Sequence, residues 1–413
     1  MEEVENNGSE HCCTSGLSIS SVMLQAIADL RLQDRLSPQR NPDFAWCWCF
    51  LPALVGFFSL LGAYLNAKPH IGGYKVYEPT YKSLILSPIE VIATGMGWAE
   101  GPIWIDDETK SQHYLLYSDT EQNRIWRYDE GKGLFSVGKS VRIPNSGCKS
   151  NSTVCLSLAE PGSNGIVRLY ADLNAGADLV VCQHGERAVS LLFENGTRIF
   201  LATHYEGKKL NSPNDLAWSN EGHLYFTDPT YGLHSKYRDS MLDQELDFSG
   251  VYMIHRDEIR ETLKTGKPTE KLKLITDAFN LPNGITFSPG FIKAYISNSD
   301  PRNAYWKVFD VQEDGSFANG RVFFNATDYI AKGHRGNPDG MKVDSRGNLF
   351  AAGPGGVLIF SPEGTLLGRL QTGNKTVSNV AFGANGFLFM TAVDSILRVK
   401  TSAKPAKLVG AWK

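Results

Sequence analysis

Residues 214–228 read NDLAWSNEGHLYFTD, and this stretch predicts the fold of the chain. It starts with a residue that carries a polar side-chain oxygen, continues as an alternating strand, turns, and ends in a second strand. The same order recurs in five other segments, which start at Glu100, Asn164, Asn283, Asp339 and Asn379. The chain after about residue 90 therefore contains six copies of one unit.

The spacing of the copies favours a β-propeller. The starting residues are separated by 64, 50, 69, 56 and 40 positions, close to the roughly 40–50 residues of a four-stranded blade, with the excess in loops. Each copy is followed by a further strand-like run, and helical periodicity after residue 70 is confined to a short segment near Asp257–Thr265. A β-sandwich would not explain six polar residues at one point of a repeat. We expect an all-β, six-bladed propeller over residues 75–413.

The six starting residues predict a site on the propeller axis. The innermost strands of all blades begin around one channel, so equivalent residues converge there. The set comprises one Glu, one Asp and four Asn, and strands normally avoid Asp and Asn. Each residue alone is typical of a turn. Six of them in register favour a common site.

Carboxylates and amide carbonyls form a hard-oxygen set that suits Ca²⁺. Mn²⁺, Mg²⁺ or Zn²⁺ are conceivable substitutes, with Zn²⁺ disfavoured because the set has no His or Cys. Two carboxylates balance a divalent charge, and open coordination positions would admit water and substrate. The sequence thus predicts a catalytic calcium site in the channel.

Other hydrolytic and nucleotide-binding signatures are missing from the sequence. It contains no G-x-S-x-G, H-E-x-x-H, P-loop or strand-borne G-x-G-x-x-G motif. The segment GPGG at 353–356 is typical of a blade turn and resembles a phosphate loop only loosely. His184, in CQHGER, either orients substrate or is a structural histidine. The formal charge of −3 without a basic run gives no sign of nucleic-acid binding, so we expect a small-molecule partner.

The N-terminal region predicts a membrane anchor. Residues 1–43 are polar and are expected to form a disordered tail. Residues 44–67 carry no charge over 24 positions, enough for one transmembrane helix. The alternative is a cleaved signal peptide of a secreted protein, but that would have a shorter apolar core nearer the N-terminus.

The orientation of this anchor does not follow from charge, because three arginines precede it and three lysines follow it. Two features favour a luminal or extracellular body. Cys148 and Cys155 bracket a polar insertion that a disulfide could close, although both could equally be free. Glycosylation sequons occur at four downstream positions: Asn151, Asn195, Asn325 and Asn374.

The residues from 90 to 400 resemble the superfamily of gluconolactonases, senescence-marker proteins (regucalcins) and diisopropylfluorophosphatases. The resemblance rests on five motifs: AEGPIW at 99–104, CQHGERAVS at 182–190, KLNSPNDLAWSNEGHLYFTDPTYGL at 209–233, LPNGITFS at 281–288 and NPDGMKVDSRGNLF at 337–350. It implies a calcium site, whose ligands map onto Glu100, Asn214, Asn283 and Asp339. Substrate contacts are expected at Asn214, His184 and Asn164. An arginine used by the regucalcin branch is replaced by Ser212.

The implied activity is hydrolysis of a small lactone, such as gluconolactone, by water attack on a metal-polarised carbonyl. Asp339 is the expected general base because an amide cannot take a proton. The same superfamily includes phosphotriesterases, so the substrate class stays open. A non-catalytic binding propeller and a metal-free condensing enzyme of the same architecture are further alternatives.

Overall fold

The structure is a computed structural model that describes residues 68–107, 112–129, 138–149, 152–170, 173, 179–237 and 241–406. The predicted tail (1–43) and anchor (44–67) lie outside these residues, as does the sequon at Asn151. Within the described ranges, no helix is both long and apolar enough to cross a bilayer. Residues 67–413 form one compact unit.

The described chain is all-β, as expected. Its strands, in chain order, are β1 (His70–Ile71), β2 (Gly73–Val76), β3 (Ile89–Asp107), β4 (Gln112–Asp119), β5 (Arg124–Asp129), β6 (Gly138–Pro144), β7 (Ser163–Arg168), β8 (Leu179–Gln183), β9 (Ala188–Leu192), β10 (Arg198–Ala202), β11 (His204–Tyr205), β12 (Lys208–Lys209), β13 (Leu216–Trp218), β14 (Leu224–Asp228), β15 (Ser249–Ile254), β16 (Lys273–Phe279), β17 (Pro282–Phe287), β18 (Lys293–Asn298), β19 (Tyr305–Val311), β20 (Phe317–Asn325), β21 (Met341–Val343), β22 (Leu349–Gly353), β23 (Gly356–Phe360), β24 (Leu366–Gln371), β25 (Asn379–Phe382) and β26 (Phe387–Lys400).

Short helices interrupt the strands. The α-helices are α1 (Thr153–Ser157), α2 (Arg256–Thr265) and α3 (Thr327–Ala331), and the 3₁₀ turns span Pro79–Leu84, Tyr231–Leu233 and Ala384–Gly386. Helix α2 confirms the predicted helical segment. It begins after the N-cap His255, whose ring accepts from the Asp257 N–H, and ends at Gly266, whose φ of 71° closes the last turn.

Neighbouring strands pair antiparallel, in the order in which they follow one another. Three four-stranded sheets comprise β7–β10, β13–β16 and β17–β20. A five-stranded sheet comprises β21–β24 with β2 on its edge, and β11–β12 form a separate hairpin. Up-and-down connectivity of this kind is typical of propeller blades.

A seven-stranded sheet joins the two ends of the described chain. Its order is β25-β26-β3-β4-β5-β6, with β1 beside β3. The first part of β26 pairs with β25, and its second part pairs with the start of β3, where Leu397 lies opposite Val91. The exchange of pairing partner along β26 occurs at Val393, whose φ is 51°. This pairing protects the sheet edges at both ends of the chain.

The hydrophobic cores lie between consecutive sheets. One cluster joins side chains of β8–β10 to those of β13–β15, and another joins β18–β20 to β21–β23. In the second, the fully buried Trp306 packs against Phe324 and Phe360. Packing the sheets face to face in sequence order turns the start of each innermost strand towards the same region.

Candidate active site

The six starting residues lie on one closed ring of backbone contacts. The backbone at Gly101 meets the carbonyl of Asn164, and the Gly165 N–H donates to the carbonyl of Asn214 over 2.7 Å. The Thr227 hydroxyl then donates to the carbonyl of Asn283 over 2.7 Å. Half of the ring is thus linked by contacts between neighbouring sheets.

The other half closes in the same way. Gly284 abuts the carbonyl of Asp339, and the Gly340 N–H donates to the carbonyl of Ser378 over 2.8 Å. The Ser378 hydroxyl donates to the carbonyl of Ala99 over 2.7 Å, which returns the ring to Glu100. The structure therefore brings the predicted residues to one annulus.

Glycines after four of the starting residues permit this close approach. A Cβ at Gly101, Gly165, Gly284 or Gly340 would lie 1.9–2.6 Å from the nearest atom of the next copy. Contacts below 3.0 Å force a shift of the neighbouring group. The glycines are thus required by the ring itself.

A second set of polar residues, which the sequence analysis missed, fixes the loops before the ring. Asp119, Asp228 and Asn298 stand at the ends of second strands and are fully buried. Their side-chain oxygens accept backbone N–H groups that lie two or three residues before Glu100, Asn214 and Asn283, over 3.2, 2.8 and 3.0 Å respectively. The sequence feature that could have predicted them is the dipeptide SD, TD or SN at the end of each of these strands.

Buried negative charge is concentrated in the ring. Glu100 is 3% exposed, and its carboxylate accepts the Gly101 N–H over 3.1 Å. Burial raises the pKa of Glu100, and the nearby carboxylates of Asp215 and Glu160 raise it further. Burial, followed by the charge of Glu100, raises the pKa of Asp339 in the same manner.

Asp215 is a third buried carboxylate that sequence analysis overlooked. Its pKa is raised by burial, and the charge of Lys342 and the Leu216 N–H, which donates to it over 2.9 Å, oppose that shift. It follows Asn214 at a position where four other copies have glycine. Asp215 therefore adds negative charge to the ring, partly offset by Lys342.

The two predicted amide ligands are also buried. Asn214 is 3% exposed and Asn283 6% exposed. Tyr231 lies beside Asn283 and Ser299, and burial raises its pKa. The tyrosine brings a hydroxyl to the edge of the ring.

Asn164 and His184 are connected to a glutamate. His184 is fully buried, with Nδ1 3.2 Å from a Glu160 carboxylate oxygen and Nε2 3.4 Å from the Asn164 amide nitrogen. The side-chain oxygen of Asn164, Oδ1, is buried and has no hydrogen-bond partner among the described residues. The Asn164 amide nitrogen is thus within hydrogen-bond distance of His184, and its side-chain oxygen is left as a free acceptor.

The donor set fits a hard cation. Glu100 and Asp339 repel one another in a buried place where an ion of opposite charge would relieve both the burial and the repulsion. The amide oxygens of Asn214 and Asn283 are neutral ligands of the kind Ca²⁺ accepts. Within the described ranges, the ring included, no group of three or more His, Cys, Asp and Glu side chains is placed to hold a metal ion.

An apolar cavity of about 430 Å³ lies at the opposite ends of the innermost strands. Its walls include Trp104, Trp218, Phe287 and Phe382. None of the four predicted metal ligands lines it. The polar ring and this cavity are therefore separate features of the channel.

Comparison with known proteins identifies the family. The family model described as "SMP-30/Gluconolactonase/LRE-like region" matches residues 98–394. The chain belongs to this family. A gluconolactonase of Zymomonas mobilis is 33% identical over 369 residues, which cover 85% of this chain and 94% of that protein.

Two further members of the comparison agree with this assignment. A pentonolactonase of Haloferax volcanii is 24% identical over 71% of this chain and 80% of its own length. The solved structure of a gluconolactonase from Xanthomonas campestris aligns with a TM-score of 0.63 and 27% identity, covering 81% of this chain and 98% of that one. The resemblance expected from the five motifs is confirmed.

Proposed function

We propose that the protein is a calcium-dependent lactonase that opens a small sugar lactone, with gluconolactone as the leading candidate. The observation that carries this proposal is the closed ring, which brings the backbone at Glu100, Asn214, Asn283 and Asp339 to one annulus, where the first three side chains are buried and Asp339 is half-buried. The similarity to gluconolactonases and a pentonolactonase supports the reaction class.

We infer that the sheets form six blades. The seven-stranded sheet contains two of them, which divide where β3 and β26 change partners. One blade then comprises β25, both parts of β26 and the start of β3, and the other comprises the rest of β3 with β4–β6. The four remaining large sheets complete six.

Bound Ca²⁺ would polarise the lactone carbonyl and favour the negative charge that develops on its oxygen. Glu100, Asn214, Asn283 and Asp339 would hold the ion. Asp339 would also take the proton of the attacking water, because the amides of Asn214 and Asn283 cannot accept one and Asp339 is more exposed than Glu100. A bound cation would lower the pKa of Asp339, which weakens it as a base.

The remaining polar groups suit substrate hydroxyls. The Asn164 side-chain oxygen has no partner among the described residues, and its amide nitrogen lies 3.4 Å from Nε2 of His184. A sugar hydroxyl would satisfy this acceptor. We propose direct contacts from Asn164 and Asn214, with His184 acting through Asn164.

A substrate panel tests the proposal. The full-length protein is assayed on aldonolactones of five and six carbons, a simple aliphatic lactone and a phosphotriester, each with calcium and with excess chelator. We expect turnover of the sugar lactones that chelator abolishes and calcium restores. Preference for the phosphotriester would favour the phosphotriesterase alternative, and binding without turnover would favour a binding propeller.

We also propose that residues 44–67 anchor the protein with its body in the lumen or outside the cell. The Cys148–Cys155 disulfide supports an oxidising compartment, and Asn195, Asn325 and Asn374 are exposed. Carbonate extraction and glycosidase treatment test this. Release from membranes without any glycan would contradict it.

A further inference from the structure

The apolar cavity at the opposite ends of the innermost strands has room for a small molecule. Its volume of about 430 Å³ lies in the range of about 300–1,000 Å³ that is usual for ligand pockets. All six innermost strands line it, through Ile103, Ile166, Leu216, Ile285, Val343 and Phe382 among others. A cavity to which every copy of the repeat contributes is a fixed part of the fold.

Four aromatic rings give the cavity an apolar wall: Trp104, Trp218, Phe287 and Phe382. Each of them packs against a further ring, as Trp104 does against Phe389, with 5.2 Å between ring centroids, and Phe287 against Tyr225, with 5.1 Å. Trp104 and Phe382 are only half-buried, so their rings keep apolar surface accessible. The wall is therefore held in place without a ligand and favours an apolar one.

The charged side chains that line this cavity favour an anion. Arg168 and Lys342 are half-buried there, whereas the one acidic residue among the described lining residues, Asp106, is exposed and already pairs with His113. The Lys342 ammonium donates to the Met341 carbonyl, a neutral acceptor, over 3.1 Å and forms no ion pair within the described ranges. A half-buried ammonium without a carboxylate can bind a negatively charged group of a ligand.

The cavity is distinct from the proposed active site, although the same strands carry both. Leu216 lines it two residues after Asn214, and Lys342 lines it three residues after Asp339. None of the four predicted metal ligands is part of its wall. A ligand in this cavity would therefore leave the proposed substrate site free, and its binding requires no lactone turnover.

We propose that this cavity binds a medium-chain carboxylate, with its apolar chain against the aromatic wall and its carboxylate at Lys342. Burial of the chain supplies most of the affinity, and the charge-assisted contact with the ammonium selects the anion. Arg168 adds positive charge to the same wall. A sugar is disfavoured as the ligand, because its hydroxyls would find few partners among apolar rings.

The test measures binding of octanoate by the full-length protein in lipid nanodiscs, with empty nanodiscs as the blank. Titration calorimetry should show saturable binding with a dissociation constant of about 1 mM or below. Since each methylene group would be buried against the apolar wall, affinity should rise about fourfold per added methylene from hexanoate to octanoate. Absence of saturable binding would overturn the proposal.

Two variants separate the charged part of the site from the apolar part. In Lys342→Met, which keeps the apolar stem, octanoate affinity should fall about tenfold, whereas affinity for octanol, the neutral probe of equal chain length, should not fall. Ala217→Phe adds a ring at a half-buried position of the wall and should abolish binding of both probes. Ala278→Phe, at an exposed position of β16, is the matched control and should bind both probes as wild type does. Equal octanoate affinity in all three variants would contradict binding in this cavity.

A photoreactive probe locates the ligand on the wild type, should a variant fail to fold. An octanoate analogue with a diazirine on its chain is activated by light, and the labelled peptides are identified by mass spectrometry. We expect labels on the strands that line the cavity, such as β13, β17 and β25, and excess octanoate should prevent them. Labels confined to residues 44–67 or to other surfaces would refute the proposal. Octanoate binding that arises only after Leu408 and Trp412 are replaced by serine would assign the cavity to the chain's own residues after Ala406 and would equally refute it.

Discussion

Gly284→Ala tests whether the ring positions Asp339. A Cβ at this residue would lie 2.4 Å from the Asp339 carbonyl oxygen, whereas ordinary contacts begin near 3.4 Å. Something must therefore move by about 1.0 Å, the difference between these distances, and the obstructing atoms are backbone. Gly284 has no positive φ, so steric overlap rather than backbone conformation carries the effect.

We expect overpacking to cost about 1–3 kcal/mol of folding free energy. A displacement of about 1 Å at the proposed base should lower lactonase kcat/KM about a hundredfold at saturating calcium. Steady-state kinetics and thermal unfolding measure the two effects. Gly73→Ala is the matched control, because a Cβ there meets nothing within 4 Å. Equal kcat/KM in both variants would refute the inference that ring contacts place Asp339.

Three further predictions address stability. Asp119→Ala removes the acceptor of four N–H groups, so the free energy of unfolding should fall by about 3–5 kcal/mol. Thermal unfolding measures this loss, and an unchanged melting temperature would contradict the role of Asp119. The double variant Cys148→Ser/Cys155→Ser should be about 2.5 kcal/mol less stable than the oxidised wild type, because the disulfide closes a loop of eight residues. The reduced wild type should have the same stability as the variant. Without calcium, the folded protein retains protons on Glu100 and Asp339 that the unfolded chain releases above about pH 4, so its stability should fall as the pH rises towards neutrality. Calcium should remove this slope, and a calcium-free stability that rises over the same range would exclude the raised pKa values.

The fold and the ring could be predicted because both repeat. Each copy in the sequence carries its own turn and alternating strands, and the polar starting residue is tied to that local pattern. Closure of the sheet between β26 and β3 is different, because it pairs residues about 300 positions apart. Strand β1 and the start of β2, which lie before residue 75, were also missed because they are short edge strands that join existing sheets.

The sequence analysis singled out the polar residues at the repeat position, whose role as a site stays a prediction, but it missed the side chains that surround them. Asp215 follows a predicted ligand, yet one carboxylate outside the repeat position gives no local signal. Glu160 reaches His184 from a loop, so only the tertiary structure reveals the contact. Glu160 therefore could not be predicted from sequence periodicity.

The disulfide could be predicted only as one of two alternatives. Spacing left Cys148 and Cys155 either bridged or free. The structure bridges them, with Cα atoms 6.0 Å apart. The spacing of the two cysteines indicated that they lie close together, and the folded loop shows that they are bonded.

The central claim, that Glu100 and Asp339 hold calcium and that Asp339 also serves the chemistry, is tested most directly by one measurement. Lactonase kcat is followed against calcium concentration for wild type, Glu100→Gln and Asp339→Asn. Both variants keep a side-chain oxygen and lose a charge, but only the second loses the proposed base. We predict that high calcium substantially restores Glu100→Gln, while Asp339→Asn stays at least about a thousandfold below wild type at saturation. Equal rescue of both variants would reduce Asp339 to a ligand, and wild-type rates in both would contradict the site.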